Sequence, residues 1–362
     1  MKKRIQIAAL VLTAGLAVAQ QKTTSRLLHT GDQWVEEITG TLPAARVVKV
    51  RAYAGAIRVQ GNEQSVITYV ARKHVQSASE KMALRALQRM QVQTLNANGM
   101  ALINGLGWSE GPGMMELEIH IPFQTTLVRL QTSAGPITAI HIAGKVEAHT
   151  GGDVIALDQI GSDVVATTGG GDIEIGKIGG EIRVETGGGN IRIGTGEAMK
   201  LQTSAGSIRV NKCNGQIMAT TGGGAIELNE VTGMVQVETA GGSIHLGPMR
   251  GGVHAETGSG PIVVDLAAHR ETFTASRLET SDGDIIVYIP DDLGVTIQAA
   301  VEKTNGQGIS SEFPGIRVTP RNNSKWGPRN AHAEGSVNGG GPLLIVHTST
   351  GTIAFRRRNT PK

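Results

Sequence analysis

Hydrophobic residues recur at a constant spacing between Val128 and Leu266, where one pattern of about eighteen residues appears eight times. Each copy contains two apolar residues, a threonine, a glycine turn and a second pair of apolar residues. The threonines are eighteen residues apart, with one step of seventeen: Thr132, Thr150, Thr168, Thr186, Thr203, Thr221, Thr239 and Thr257. Repeats of nearly constant length predict coils that stack in register, as in a solenoid.

Alternation within each repeat predicts which side chains face inward. Ile217 and Ala219 lie four and two residues before Thr221, and side chains two apart on a strand share a face. The threonines therefore belong to the inner face. Their hydroxyls would bond either to neighbouring backbone or to the threonine of the next coil.

The predicted fold is all-β: a parallel β-solenoid with about eighteen residues and two short strands per coil, preceded by a small α/β part with one helix. Hairpins of an antiparallel sheet are the alternative, since they too supply two strands per repeat. The helix is predicted over Ser79 to Val92, where Ser77 and Glu80 match a capping box.

Five segments are predicted along the chain. They are a signal peptide (1–19), an extended lead-in (20–46), a strand-helix-strand cap (47–127), the solenoid repeats (128–290), and closing strands and loops (291–362), the last including an irregular excursion from Ser324 to Gly341. The signal peptide is indicated by basic residues at 2–4, an apolar run from Ile5 to Val18 and small residues before a cut after Ala19. That run is too short to span a membrane, and no later one is long enough. We therefore expect an exported mature chain, located in the periplasm, at the cell surface or in the medium.

Removal of this leader changes the charge balance. The leader holds three of the 34 basic residues and no acid, which leaves 31 basic against 31 acidic residues. A neutral chain offers no general electrostatic reason to bind nucleic acid.

Several modules together resemble the bacterial exported putative-adhesin domain family, a family of unknown function with Gly-rich β-repeats. The matching segments are Ala52 to Val59, the turns Thr203 to Ile208 and Thr221 to Ile226, Ile289-Pro290, and Gly339 to Gly341 leading into Thr348 to Ile353. The resemblance extends from about Val47 to Arg356. It implies an exported β-solenoid without established catalysis.

The best candidate for chemistry is an outward constellation in adjacent coils. Glu238 and Glu256 occupy equivalent places, and His254 lies two residues from Glu256. Two carboxylates beside an imidazole could act on a glycan, as in a lyase or hydrolase. The alternative interpretation is a hydrated surface ladder, and no residue is assigned as catalytic, cofactor-binding or metal-binding.

Three other motifs fit a functional site less well. A calcium β-roll needs a carboxylate in successive turns, but the residue after the turn glycine varies too much. Those residues are Pro136, Asp153, Asp172, Asn190, Ser207, Ala225, Ser243 and Pro261. Gly171 to Lys177 follows phosphate-loop spacing, yet no helix is predicted after it. Cys213, the only cysteine, aligns with apolar residues and is predicted to be buried.

These observations favour an exported, non-enzymatic, adhesin-like binding or scaffold module at the cell envelope, with no cofactor. The expected partner is an envelope protein or a surface glycan. Specificity is expected in the irregular ends around Trp108 and Trp326 and not in the repeats. The alternatives are a glycan-active β-helix enzyme and the calcium-binding β-roll.

Overall fold

The computed structural model describes residues 23–107, 113–304, 308–321 and 329–358. Apart from one helix, the regular elements are β-strands. The chain divides into two compact units, residues 1–180 and residues 181–362. The predicted signal peptide, Trp108 and Trp326 lie outside the described residues.

The first unit contains two sheets and the helix. Its elements are β1 Thr24–Thr30, β2 Gln33–Pro43, β3 Val47–Ala52, β4 Ile57–Asn62, β5 Val66–Gln76, α1 Glu80–Arg89, β6 Gln91–Ala97, β7 Met100–Leu106, β8 Gly113–Pro122, β9 Leu127–Thr132, β10 Ile137–Ile142, β11 Lys145–Thr150, β12 Ile155–Ile160, β13 Val164–Thr168 and β14 Ile173–Lys177. Within this unit the strand orders are β1-β2-β5-β8-β4-β10-β12-β14 and β6-β7-β3-β9-β11-β13.

The second unit also contains two sheets. Its strands are β15 Ile182–Thr186, β16 Ile191–Gly196, β17 Met199–Thr203, β18 Ile208–Cys213, β19 Ile217–Thr221, β20 Ile226–Val231, β21 Val235–Thr239, β22 Ile244–Met249, β23 Val253–Ser259, β24 Ile262–Leu266, β25 Ser276–Asp282, β26 Ile285–Ile289, β27 Val295–Thr304, β28 Ile309–Ser311, β29 Ile316–Arg321, β30 Arg329–Val337, β31 Leu343–Thr350 and β32 Ile353–Arg357. Their orders are β16-β18-β20-β22-β24-β26-β32-β28 and β15-β17-β19-β21-β23-β25-β31-β27-β30-β29.

Strand pairing within the repeats is parallel and in register. Val146 faces Val164 and Thr150 faces Thr168, one repeat later in each case. Consecutive strands such as β19 and β20 lie in different sheets, which hairpins could not produce. The parallel β-solenoid is therefore confirmed, and the antiparallel interpretation is wrong.

The repeated threonines form an inward column, and each is at most 2 % exposed. Their partners are backbone groups and not the next threonine. The Thr150 hydroxyl donates to the carbonyl of Gly135 at 2.8 Å, and the Thr221 hydroxyl donates to that of Gly206 at 2.7 Å. The Gly224 amide in turn donates to Thr221 Oγ1 at 3.3 Å. The Thr221 hydroxyl thus joins its own turn to the preceding coil.

The turn glycines are needed because the coils approach closely. A Cβ added at Gly224 would lie 2.1 Å from the Gly206 carbonyl oxygen, a distance that no side chain tolerates. Gly223, at the same turn, has open space around its Cβ position. One turn therefore contains both a required glycine and a replaceable one.

The N-terminal part differs from its prediction in two respects. The segment predicted as an extended lead-in contains β1 and β2, which pair antiparallel. Nearly every residue of β1 is exposed, so its sequence carries no apolar alternation to reveal a strand. The segment boundaries proposed from the sequence remain predictions.

The predicted capping box is wrong. Ser79 is the N-cap of α1 and makes no side-chain cap bond. Ser77 Oγ instead accepts a hydrogen bond from the Ser79 amide at 3.1 Å. At the other end of α1 the buried Lys73 donates to the Leu87 carbonyl at 3.3 Å and pairs with Glu36 at 2.9 Å. These contacts connect the helix to β5 and β2.

The C-terminal part also corrects an expectation. The predicted irregular excursion includes β30, which pairs antiparallel with β27 on one side and β29 on the other. Its inward residues are small: Ala331 and Ala333 are each 1 % exposed. Alanine alternating with His332 and Glu334 gives a weak hydrophobic pattern, which explains why the strand is not evident from the sequence.

Candidate functional site

Three carboxylates form a row on the outer face of the larger sheet of the second unit. Glu238 on β21 faces Glu256 on β23, and Glu256 faces Glu279 on β25. Each precedes an inward threonine by one residue, so strand alternation turns it outward. We call Glu238, Glu256 and Glu279 the acidic ladder. Adjacent strands lie about 4.8 Å apart, which keeps the carboxylates close.

A second row of side chains runs beside the acidic ladder. His254 is paired across the strands with Gln236 and with Arg277. Arg277 donates to Glu279 Oε1 at 2.6 Å. The hydrogen bond to Glu279 raises the pKa of Arg277 above its ordinary value, with a smaller contribution from the charge of Glu256. This guanidinium therefore neutralises one end of the ladder.

The two rows line a shallow depression of about 260 Å³, with Val237 and Ala255 among its lining residues. Glu238, His254 and Glu256 are all exposed to solvent. Pockets that surround a small ligand are larger and cover most of its surface. The geometry therefore fits contact with part of a larger molecule better than enclosure of a substrate.

The same sheet face continues beyond Glu279 onto strands from later in the chain. Glu279 faces His347 on β31, whose Nε2 lies 3.3 Å from Glu302 Oε1. A neighbouring depression of about 470 Å³ is lined by Arg277, Gln298, His332, Glu334 and His347, among others. The face from β21 to β30 thus carries mostly polar side chains, with Ile345 and Ala300 between them.

The structure brings together all three residues that the sequence singled out and adds Arg277 and Glu279. The repeat pattern does not predict the added pair, because Thr280 follows Thr257 by twenty-three residues and so breaks the eighteen-residue period. One signal could have found them. Glu279 stands immediately before Thr280, as Glu256 does before Thr257.

Polar residues at the turns bond to the backbone. Asn190 Oδ1 accepts from the Ser207 amide at 3.0 Å, in the next coil. Asp284 Oδ1 accepts from the Thr352 amide at 2.8 Å. Within the part of the chain that the structure describes, no three His, Cys, Asp or Glu side chains are grouped so as to hold a metal ion.

Cys213 is fully buried, as predicted. Its Sγ contacts the Glu197 carbonyl oxygen at 2.8 Å. Burial raises the pKa of the thiol, and this effect outweighs the opposing hydrogen bond with Gly215. A neutral, buried thiol is poorly suited to nucleophilic chemistry.

Stacked coils of two short parallel strands, an inward threonine column and open polar faces define a parallel β-solenoid. No helix among the described residues is long and apolar enough to cross a membrane. The chain belongs to the Toastrack DUF4097 family, whose model matches residues 56–338. This match confirms the resemblance seen in the sequence.

Three solved structures are similar to this chain. One is a putative adhesin from Bacteroides fragilis NCTC 9343, at 9% identity, covering 89% of this chain and 97% of that one, with a TM-score of 0.30. The second is a putative cell adhesion protein from Clostridium sporogenes ATCC 15579, at 8% identity, covering 94% and 100%, with a TM-score of 0.16. The third is a putative adhesin from Parabacteroides distasonis ATCC 8503, at 10% identity, covering 71% and 95%, with a TM-score of 0.28. No curated protein matches the chain.

Proposed function

We propose that this protein is an exported, non-enzymatic, adhesin-like module that binds an envelope protein or a surface glycan. The observation that carries the proposal is the open face around the acidic ladder. Glu238, Glu256 and Arg277 are solvent-exposed, Glu279 is half-buried, and together they stand over a depression of only about 260 Å³. Contacts spread over such a face suit recognition of a large partner.

The scaffold beneath this face supports the same function. Strands β21, β23 and β25 are paired on both sides, and Thr239 and Thr257 each donate to the backbone of the preceding coil, at 3.0 Å and 2.9 Å. A surface held in this way loses little conformational entropy when a partner docks. Less of the interaction free energy is then offset by this entropy loss, so more of it contributes to affinity.

Export is the second part of the proposal. It rests on the basic start, the apolar run and the small residues before Ala19 in the sequence. The mature chain would act in the periplasm, at the cell surface or in the medium.

The proposal is tested with labelled protein of residues 20–362 and intact bacterial cells or envelope fractions. We expect saturable binding that unlabelled protein displaces. A panel of polysaccharides incubated with the same protein should release no reducing ends and no unsaturated products. Absence of saturable binding to any envelope material would refute the binding function.

An enzyme would give a different result in the same assays. Product release that disappears in Glu256→Gln would establish glycan cleavage and overturn the non-enzymatic assignment. The matched control is Glu185→Gln, because Glu185 also precedes a buried threonine but faces Gln202 and not a second carboxylate. Loss confined to Glu256→Gln would assign the chemistry to the acidic ladder.

A further inference from the structure

The outer face of one sheet in the first unit concentrates positive charge. Lys49 on β3 faces Arg129 on β9, and Arg129 faces Glu147 on β11. In the next outward row, Arg51 on β3 pairs with Gln131 on β9, and Gln131 pairs with His149 on β11. We call this surface the basic face and define it by Lys49, Arg51, Arg129, Lys145, Glu147 and His149. It holds four cations and one carboxylate, although the chain without its leader is neutral.

Two of the four cations share the one carboxylate. Arg129 donates to Glu147 Oε2 at 2.6 Å, and Lys145 Nζ lies 3.2 Å from Glu147 Oε1. Burial tends to raise the pKa of Glu147, but the hydrogen bonds from Arg129 and Lys145 lower it overall. Glu147 therefore stays ionised at neutral pH and holds these two cations in place.

The other two cations, Lys49 and Arg51, have no carboxylate partner among the described residues. They project from the same strand, two residues apart, next to a depression of about 290 Å³. Gln131, His149 and Thr167 line the same depression and supply hydrogen-bonding groups. Two unpaired cations beside such groups are complementary to a ligand with both acidic groups and hydroxyls.

Other polyanions fit this surface less well. The described residues lining the depression include no Phe, Tyr or Trp side chain on which nucleic-acid bases could stack. Attraction to an anionic membrane depends on clusters of about four to eight lysines and arginines, and only two are unpaired here. An acidic polysaccharide needs neither stacking nor a dense basic cluster.

We infer that the basic face binds acidic polysaccharide, with Lys49 and Arg51 contacting its carboxylate or sulfate groups. This inference rests on the proposed binding function and adds to it a second face, besides the one around the acidic ladder, with its own ligand class. Because Arg51 is exposed and Lys49 is only half-buried, the interaction weakens as salt rises.

The test measures binding of residues 20–362 to immobilised polygalacturonate and dextran sulfate, with neutral dextran as the reference. The wild type should bind both acidic polymers and not dextran. The double variant Lys49→Gln/Arg51→Gln should bind at least about tenfold more weakly, since it removes two charge-assisted contacts. Raising NaCl from about 50 to about 200 mM should weaken wild-type binding.

The matched control is Arg183→Gln/Lys200→Gln. Arg183 and Lys200 are exposed on the outer face of β15 and β17 and face each other across the strands. This variant loses the same charge as the test variant but keeps the basic face. Its affinity should stay within about twofold of the wild type. Equal weakening in both double variants would show general charge attraction and overturn the inference.

Three further outcomes are decisive. The wild type could bind phosphatidylglycerol vesicles or single-stranded DNA but not the acidic polymers. That result would show that the basic face binds a different polyanion, and it would overturn the inference. Saturable envelope binding that the Lys49→Gln/Arg51→Gln variant retains in full would leave the proposed function standing and refute the role of this face. Failure of the wild type to bind both envelope material and acidic polymers would refute the two proposals together.

Discussion

The threonine column predicts that two adjacent threonines differ in how strongly the same substitution destabilises the protein. Thr221 is 2 % exposed, and its hydroxyl donates to the Gly206 carbonyl at 2.7 Å. It also accepts from the Gly224 amide at 3.3 Å. Thr220 precedes it on β19 and points outward, half-buried. Thr221→Val should therefore destabilise the protein, while Thr220→Val should not.

The size of the effect follows from what valine retains and removes. Valine keeps the volume and the β-branch, so packing and strand preference are preserved. Loss of one short and one long hydrogen bond should lower the free energy of unfolding by about 1–2 kcal/mol. Gly206 and Gly224 are half-buried, so water can reach the freed groups and limit the loss. Thr220→Val should change stability by less than about 0.5 kcal/mol.

The assay is urea unfolding of residues 20–362, followed by far-ultraviolet circular dichroism. Both the midpoint and the slope are compared, because repeat arrays can unfold in segments. Equal midpoints for Thr221→Val and Thr220→Val would refute the structural role of the column. A lower midpoint for Thr220→Val alone would reverse the assignment of inward and outward faces.

Three more predictions test the coil spacing, the buried thiol and the ion pairs. Gly224→Ala should destabilise by about 1–3 kcal/mol through its backbone clash, whereas Gly223→Ala, in open space, should be neutral or stabilising by under about 1 kcal/mol; equal urea midpoints would contradict this. Cys213 should resist a bulky maleimide until the protein is unfolded in urea, and rapid labelling of the native protein would contradict its burial. The hydrogen bond from Arg72 lowers the pKa of Glu118, so the stability that the ionised carboxylate adds is present above its unfolded pKa of about 4.3 and is lost as pH falls through the folded value. The advantage of wild type over Glu118→Gln should therefore shrink between pH 7 and about pH 3, and a constant gap would refute the pairing.

Strand alternation and the repeat period together were enough to predict most of the second unit. Cys213 is buried because it shares its place in the coil with apolar residues, and its register partner Val231 is buried too. The inward orientation of Thr221 follows from the apolar residues two and four positions earlier. Such assignments succeed because each depends only on residues within one coil.

Predictions failed where a strand lacks an apolar face or pairs over a long sequence distance. β1 is almost wholly exposed, and β30 buries alanines in place of large residues. Glu279 belongs to the acidic ladder because β25 pairs with β23. The eighteen-residue period is interrupted between these two strands, so the repeat pattern does not predict this pairing. The basic face joins Lys49 to Arg129 across eighty residues of chain, and no local pattern links them.

The sequence by itself determined the inward threonines and the outward position of Glu238 and Glu256, and the equal repeat lengths favoured the parallel coil over hairpins. The inward and outward positions are local properties, since alternation along a strand decides which face each side chain occupies. Only the tertiary structure decided that the threonine hydroxyls bond to backbone carbonyls, and that Arg277 neutralises one end of the acidic ladder. It also decided that Lys49 and Arg51 stand unpaired on a basic face. Those outcomes depend on which strands become neighbours in the sheets. Strand pairing depends on the free energy of contacts between different parts of the chain, which the sequence of a single repeat does not reveal.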